Sequence, residues 1–249
     1  MKPKDHLILA LDVDSLEEAK DIVDELKDMC GIFKVGPQLF TIYGVETLRM
    51  IQRAGCKTFL DLKYHDIPNT LKEVADVVVK LGVYMFTIHT LGGREMMRVV
   101  VEEIRQISQD TEIPKPLVLG VTILTSISQR ILEDDLGIKR HVKDQVVFLA
   151  EAAKEVGLDG VIASPYEVAS IRERCGKDFL IVTPGIRMEE RKDDQKRVMT
   201  PREAIRDGAN YLVVGRPIIY APNRRDEAKR FLEDIETGLM ERCGVIEPV

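Results

Sequence analysis

Eight apolar runs of strand length recur at near-even intervals, and this spacing constrains the fold more than any other property of the chain. They are Leu7–Leu11, Ile32–Val35, Thr58–Leu62, Tyr84–Ile88, Leu117–Ile123, Gly160–Ala163, Phe179–Val182 and Tyr211–Val214. Between them lie stretches of helical periodicity at 15–29, 70–82, 94–107 and 141–157, and a last amphipathic segment runs from Asn223 to Met240. Ser15, followed by Glu17 and Glu18, reads as an N-cap, while Gly31, Gly55, Gly82, Gly157, Gly176 and Gly208 stand where helices should stop. Near-continuous apolar strands alternating with helices imply a parallel sheet covered by helices. Eight such units close into an eight-stranded parallel (β/α)8 barrel, the TIM-barrel architecture. An open doubly wound sheet is the alternative, but no GxGxxG follows the first strand, where that fold places its phosphate loop. Neither a linker nor a low-complexity tract divides the chain, so a single barrel domain is expected to span 1–249.

Charge and apolar content narrow the partners. The 36 Lys+Arg against 42 Asp+Glu leave a formal charge of -6 without a basic run, so nucleic acid is not expected as a partner. Stretches such as LILAL at 7–11 and PLVLGV at 116–121 fall far short of the roughly 20 apolar residues of a membrane span, so no membrane is expected either. The opening MKPKDH leads directly into the first strand with no signal-type segment, which points to a cytoplasmic protein. Cys30, Cys56, Cys175 and Cys243 are scattered singly, with neither CxxC nor Cys/His zinc spacing, and are expected to be reduced thiols that hold no metal.

In such a barrel the chemistry sits at the C-terminal ends of the strands. The polar residues there are Asp12, Lys34, Asp61, Lys63, His89, Thr125, Pro184, and Gly215 with Arg216. The sharpest segment is TFLDLKYHDIPNT, 58–70. Strand alternation puts Asp61 and Lys63 on one side and turns Leu62 toward the helices. Asp66 falls beyond the strand, before a Pro68 that fits a helix entry, and strand geometry leaves its direction open. The pattern D-x-K-x-x-D alone equally describes a solvated strand edge. The apolar run before it, and Lys34 ending the preceding strand, favour instead an alternating array of carboxylates and ammoniums that hold one another ionised in a partly desolvated site. Such an array suits a reaction that builds negative charge on carbon, with an ammonium to stabilise the charge and then deliver a proton.

These residues carry a resemblance. D61-L-K63-Y-H-D66-I-P-N-T, with A10-L-D12, F-K34-V-G, L-T125-S, T-P184-G-I-R187 and V-V-G215-R216, is similar to the orotidine 5'-phosphate decarboxylases, at six of eight strand ends between residues 10 and 216. The resemblance implies conversion of orotidine 5'-phosphate to UMP and CO2, the last step of de novo pyrimidine synthesis, with no cofactor. Lys63 is then the proton donor to C6 of the pyrimidine, Asp61 sits against the substrate carboxylate, and Asp12 and Lys34 bind ribose hydroxyls, Lys34 pairing within the array as well. The resemblance also implies a homodimer with shared active sites, in which Asp66, Ile67 and Thr70 reach the site of the other subunit. Thr125 and Ser126 follow the fifth strand and face the pyrimidine edge, although Ser126 or Ser128 can equally cap a helix. Pro184 joins the substrate-binding set. Gly215 and Arg216 meet the phosphate, as expected for loop amides after a last barrel strand. In RMEERKDDQKR, 187–197, every side chain except Met188 and Gln195 is charged; the resemblance makes this run a lid over phosphate, with Arg187 and Gln195 as contacts. His6, His65, His89 and His141 are read as non-catalytic, and Met96 and Met97 as helix packing.

Sister enzymes on the same barrel, hexulose-phosphate synthase and keto-gulonate-phosphate decarboxylase, share D-x-K-x-x-D but end strand two in an acidic Mg²⁺ ligand. Lys34 stands there in this chain, a cation that repels Mg²⁺. A catalytically silent nucleotide-binding barrel is the alternative of another class; it has no evident need for an ammonium beside a buried-edge carboxylate.

Overall fold

The computed structural model describes residues 2–188 and 199–245. Eight parallel strands close in chain order into a barrel: β1 (Leu7–Ala10), β2 (Ile32–Val35), β3 (Lys57–Tyr64), β4 (Met85–His89), β5 (Leu117–Val121), β6 (Gly160–Ile162), β7 (Leu180–Thr183) and β8 (Tyr211–Val214), with β8 pairing back onto β1. The helices are α1 (Leu16–Leu26), α2 (Pro37–Tyr43), α3 (Glu46–Arg53), α4 (Pro68–Lys80), α5 (Gly93–Thr111), α6 (Val142–Glu155), α7 (Val168–Cys175), α8 (Pro201–Arg206), α9 (Arg216–Ile219) and α10 (Arg224–Arg242). Among the described residues no helix is long and apolar enough to cross a membrane.

Local chemistry sets the boundaries. The Ser15 hydroxyl accepts the Glu18 amide at 3.3 Å and starts α1, and the Asn223 side chain caps α10. Pro37, Pro68 and Pro201 occupy first helical positions, where the missing amide costs nothing. Gly55, Gly82, Gly157, Gly176 and Gly208 take the positive φ of a chain leaving a helix. Gly31 does not: α1 already ends at Leu26, capped by Lys27, so the expectation for that glycine fails.

The sheet is apolar on both faces, and two cores result. The outer one, between sheet and helices, takes Leu9, Phe33, Leu60, Phe86 and Ile88, together with Met96 and Met97, which are packing residues as expected. The inner one fills the lower barrel with Ile8, Ile32, Phe59, Met85, Leu119, Val182 and Tyr211. Because side chains alternate, the residues two positions further along share the inward face. There the lining changes character, to Ala10, Lys34, Asp61 and Thr87, and the filled core gives way to a polar mouth.

β6 approaches β7 at Gly160 so closely that an added Cβ would lie 2.3 Å from the Leu180 carbonyl oxygen, which is backbone and cannot swing aside. Gly160→Ala is therefore expected to lower the melting temperature by roughly 2–12 °C, the overpacking cost spread over a chain of this size. Thermal unfolding followed by circular dichroism checks this, and an unchanged midpoint would show that β6 can shift freely.

Candidate active site

The centre of the mouth is Asp61, buried on β3. Its two carboxylate oxygens each accept from Lys63 Nζ at 2.9 Å, Oδ2 lies 3.5 Å from Lys34 Nζ, and Lys34 Nζ in turn lies 3.3 Å from Asp12 Oδ1. The expected alternation of Asp12, Lys34, Asp61 and Lys63 is thus present in space, delivered by the ends of three adjacent strands. Burial raises the Asp61 pKa, but Lys34, Lys63 and the Thr87 hydroxyl together more than offset it, and the net effect holds the carboxyl below its ordinary value. Gly36 and Gly215 leave room for the array. A Cβ at Gly36 would stand 3.2 Å from Lys34 Nζ, and one at Gly215 would stand 3.3 Å from the Ala10 Cβ and 3.4 Å from Asp12 Oδ2.

Simple strand alternation describes this segment incompletely. Leu60 pairs with Phe86 and Tyr64 with Ile88, so four steps along β3 match two along β4. Inside this bulge Lys63 takes φ 52°, the left-handed region that a side-chain-bearing residue seldom occupies. Leu62 still packs against the outer core, as expected. The Lys63 amide donates to Thr87 Oγ1 at 2.9 Å, and that hydroxyl donates to Asp61 Oδ1 at 3.0 Å. Sequence reading passed over Thr87; the available signal was a hydroxyl two residues beyond the inward Met85, within the apolar run that precedes His89.

A cavity of about 310 Å³ opens above the array. Its walls include Asp12, Lys34, Asp61, Lys63, Thr125, Ser126, Pro184, Arg187, Gly215 and Arg216, so the fold brings together ten of the sequence-predicted residues from the mouths of β1, β2, β3, β5, β7 and β8. Ser164, after β6, also lines it and was not anticipated. Ser128 accepts the Ile131 amide at 3.3 Å, so of the two serines weighed as caps this one makes a capping bond. Asp66, Ile67 and Thr70 are exposed and do not line the cavity of their own chain; Asp66 Oδ1 instead accepts the Ile67 amide at 2.7 Å. Gln195 and most of the charged run at 187–197 lie outside the described residues. No group of three or more His, Cys, Asp or Glu among the described residues is arranged to hold a metal ion.

Beside the array the rings of His65 and His89 stack with centroids 5.3 Å apart. Burial, then the neighbouring His65 and Lys63, lower the His89 pKa to about 4 from 6.5. Between those values the unfolded chain binds the extra proton, so this contribution to stability is complete above pH 6.5 and is lost as pH falls toward 4. His6, whose pKa burial also lowers, acts in the same direction. In denaturant titrations across this pH range, His89→Gln is expected to lose stability less steeply than the wild type; an identical slope would assign the acid sensitivity elsewhere.

Comparison with known proteins places the chain. The family model described as orotidine 5'-phosphate decarboxylase / HUMPS family matches residues 5–231. A protein of Heliobacterium modesticaldum named orotidine 5'-phosphate decarboxylase is 49% identical over 243 residues, covering 97% of this chain and 100% of the relative. One of the same name from Moorella thermoacetica is 45% identical over 237 residues, covering 95% and 94%. The crystal structure of orotidine 5'-phosphate decarboxylase from Lactobacillus acidophilus superposes with a TM-score of 0.82 at 37% identity, covering 92% of this chain and 98% of that one. This chain belongs to the orotidine 5'-phosphate decarboxylase / HUMPS family.

Proposed function

We propose that this protein decarboxylates orotidine 5'-phosphate to UMP in de novo pyrimidine synthesis, without metal or cofactor. The observation that carries this reading is the alternating Asp12, Lys34, Asp61, Lys63 array at the base of the mouth cavity. In the proposed reaction the bond from C6 to the carboxylate breaks, CO2 leaves, and the electron pair remains on C6. The Lys63 ammonium stabilises that pair and donates its proton to it, then is reprotonated from solvent. Asp61, kept anionic by its two lysines, sits against the substrate carboxylate and favours its departure. Asp12 and Lys34 hold the ribose hydroxyls. Thr125 and Ser126 address the pyrimidine edge beside Pro184, and Gly215, Arg216, Arg187 and Gln195 receive the phosphate. Two ammoniums already flank Asp61, at 2.9 and 3.5 Å, so a divalent cation against that carboxylate would meet both of them; this supports the metal-independent reaction over its Mg²⁺-dependent sisters.

The working form in this reading is a homodimer in which Asp66, Ile67 and Thr70 complete the partner's site. Their exposure, with 66% of the Ile67 surface open to solvent, supports this assignment. A single barrel domain, a cytoplasmic location and a small anionic substrate in place of nucleic acid belong to the same reading.

The test mixes purified protein with orotidine 5'-phosphate and EDTA and follows the loss of substrate ultraviolet absorbance. Decarboxylation should persist in EDTA and fall by about 10²–10⁴-fold or more in Lys63→Ala. An inactive wild type would leave a nucleotide-binding barrel as the reading. Arg187→Ala and Gln195→Ala should each raise KM strongly with the fold intact, and unchanged kinetics in both would make the charged loop passive. Dilution below the dimer dissociation constant should abolish activity; full specific activity in a proven monomer would sink the shared site.

A further inference from the structure

The β3 bulge deprives Lys63 of a regular place in the ladder to β4, since Leu60 and Tyr64 pair with Phe86 and Ile88 and nothing between them keeps register. Its amide is nevertheless satisfied, by a side chain. Thr87 is fully buried, accepts that amide at 2.9 Å and donates to Asp61 Oδ1 at 3.0 Å. Both bonds fix the hydroxyl in one sense, as acceptor from the Lys63 backbone and donor to the Asp61 carboxylate. A left-handed backbone at a residue other than glycine costs about 1–3 kcal/mol and persists only where its surroundings over-determine it. Thr87 is the side chain that ties this strained position to the carboxylate whose partner Lys63 is.

We propose that Thr87 is a positioning residue for the Lys63–Asp61 pair, clamping the Lys63 backbone and the Asp61 carboxylate to one another through a single hydroxyl. It does not touch substrate in this role; it sets where the Lys63 ammonium stands relative to the reacting carbon. The inference rests on the decarboxylase reading and deepens it. Displacing a reacting group by about 1 Å can cost roughly 10²-fold in rate, so the effect belongs in kcat.

Thr87→Val removes the hydroxyl at nearly constant volume, and Thr87→Ser keeps it. In the Val variant kcat for orotidine 5'-phosphate should fall between about ten- and a hundred-fold while KM stays within about threefold. The Ser variant should regain most of kcat. The acid limb of the pH profile adds a second readout. Asp61 is faced by Lys34 from β2 and Lys63 from its own strand, with Asp12 beyond Lys34. Losing the Thr87 donor removes a bond to the charged carboxylate, so that limb should move to higher pH in Val and remain in place in Ser. Thermal melting establishes that each variant folds, and Thr87→Ala, which adds no second methyl beside Asp61, replaces Val if Val does not. Wild-type kcat in a folded Val or Ala variant overturns the proposal, as does a raised KM with kcat unchanged, or a folded Ser variant as slow as Val. An inactive wild type overturns instead the decarboxylase reading on which it rests.

Discussion

A carboxylate taken out of water is stable only if its charge is answered on the spot, and Asp61 is the place where this barrel meets that condition. Three groups converge on it: Lys63 and the Thr87 hydroxyl as hydrogen-bond donors, and Lys34 as an ion-pair partner. They come from β3 itself and from the two strands that flank it, β2 and β4, so the array assembles only where these three strands pair. Removing one partner of a buried pair typically costs about 3–5 kcal/mol, because the survivor is left uncompensated. The glycines at 36 and 215 follow from the same requirement. A methyl group at 36 would press on the Lys34 ammonium, and one at 215 would press on Ala10 beneath Asp12.

The formal charge of -6 and an anionic substrate pull in opposite directions. What a phosphate-bearing ligand meets is the potential of the cleft, and the cavity walls present Lys34, Lys63, Arg187 and Arg216 against Asp12 and Asp61. Low-dielectric walls focus that local field, so the mouth can attract what the surface as a whole repels. The acidic residues are mainly outside it, on helices such as α1 and α10, where they stand in the first turns and pair with arginine.

Strand identity was legible because both faces of each strand are covered, which leaves apolar runs that no surface strand shows. β2 and β8 coincide with the runs Ile32–Val35 and Tyr211–Val214. β3 does not: it continues past the apolar run to Tyr64, which still pairs with Ile88 beyond the bulge. The short helices α2 and α3, split by Gly44 at φ 55°, carry too few turns for periodicity to register. At the site, charged residues announced themselves against apolar strands, whereas Thr87 did not, because a threonine suits a β-strand whatever its hydroxyl does. Asp66 stayed open for another reason. Among the described residues Asp66 accepts the Ile67 amide, a local bond that does not aim its carboxylate at the cavity of its own chain.

The bulge also explains how a lysine two residues beyond an aspartate can meet it so closely. Alternation already puts both side chains inward, so sidedness alone needs no irregularity. Depth is the difficulty. Four steps of a regular strand advance about 13 Å, whereas the two matching steps of β4 advance about 6.6 Å. Compressing β3 against β4 keeps Lys63 near the level of Asp61 instead of carrying it out toward solvent, and lets its ammonium reach both carboxylate oxygens at 2.9 Å. The left-handed turn at Lys63 is the conformational cost of that compression. A side-chain acceptor on β4 is then required, because a strand that loses register also loses its backbone acceptors. Charge pairing, bulge and Thr87 are in this sense one device, and a change in any of them is felt at the Lys63 ammonium.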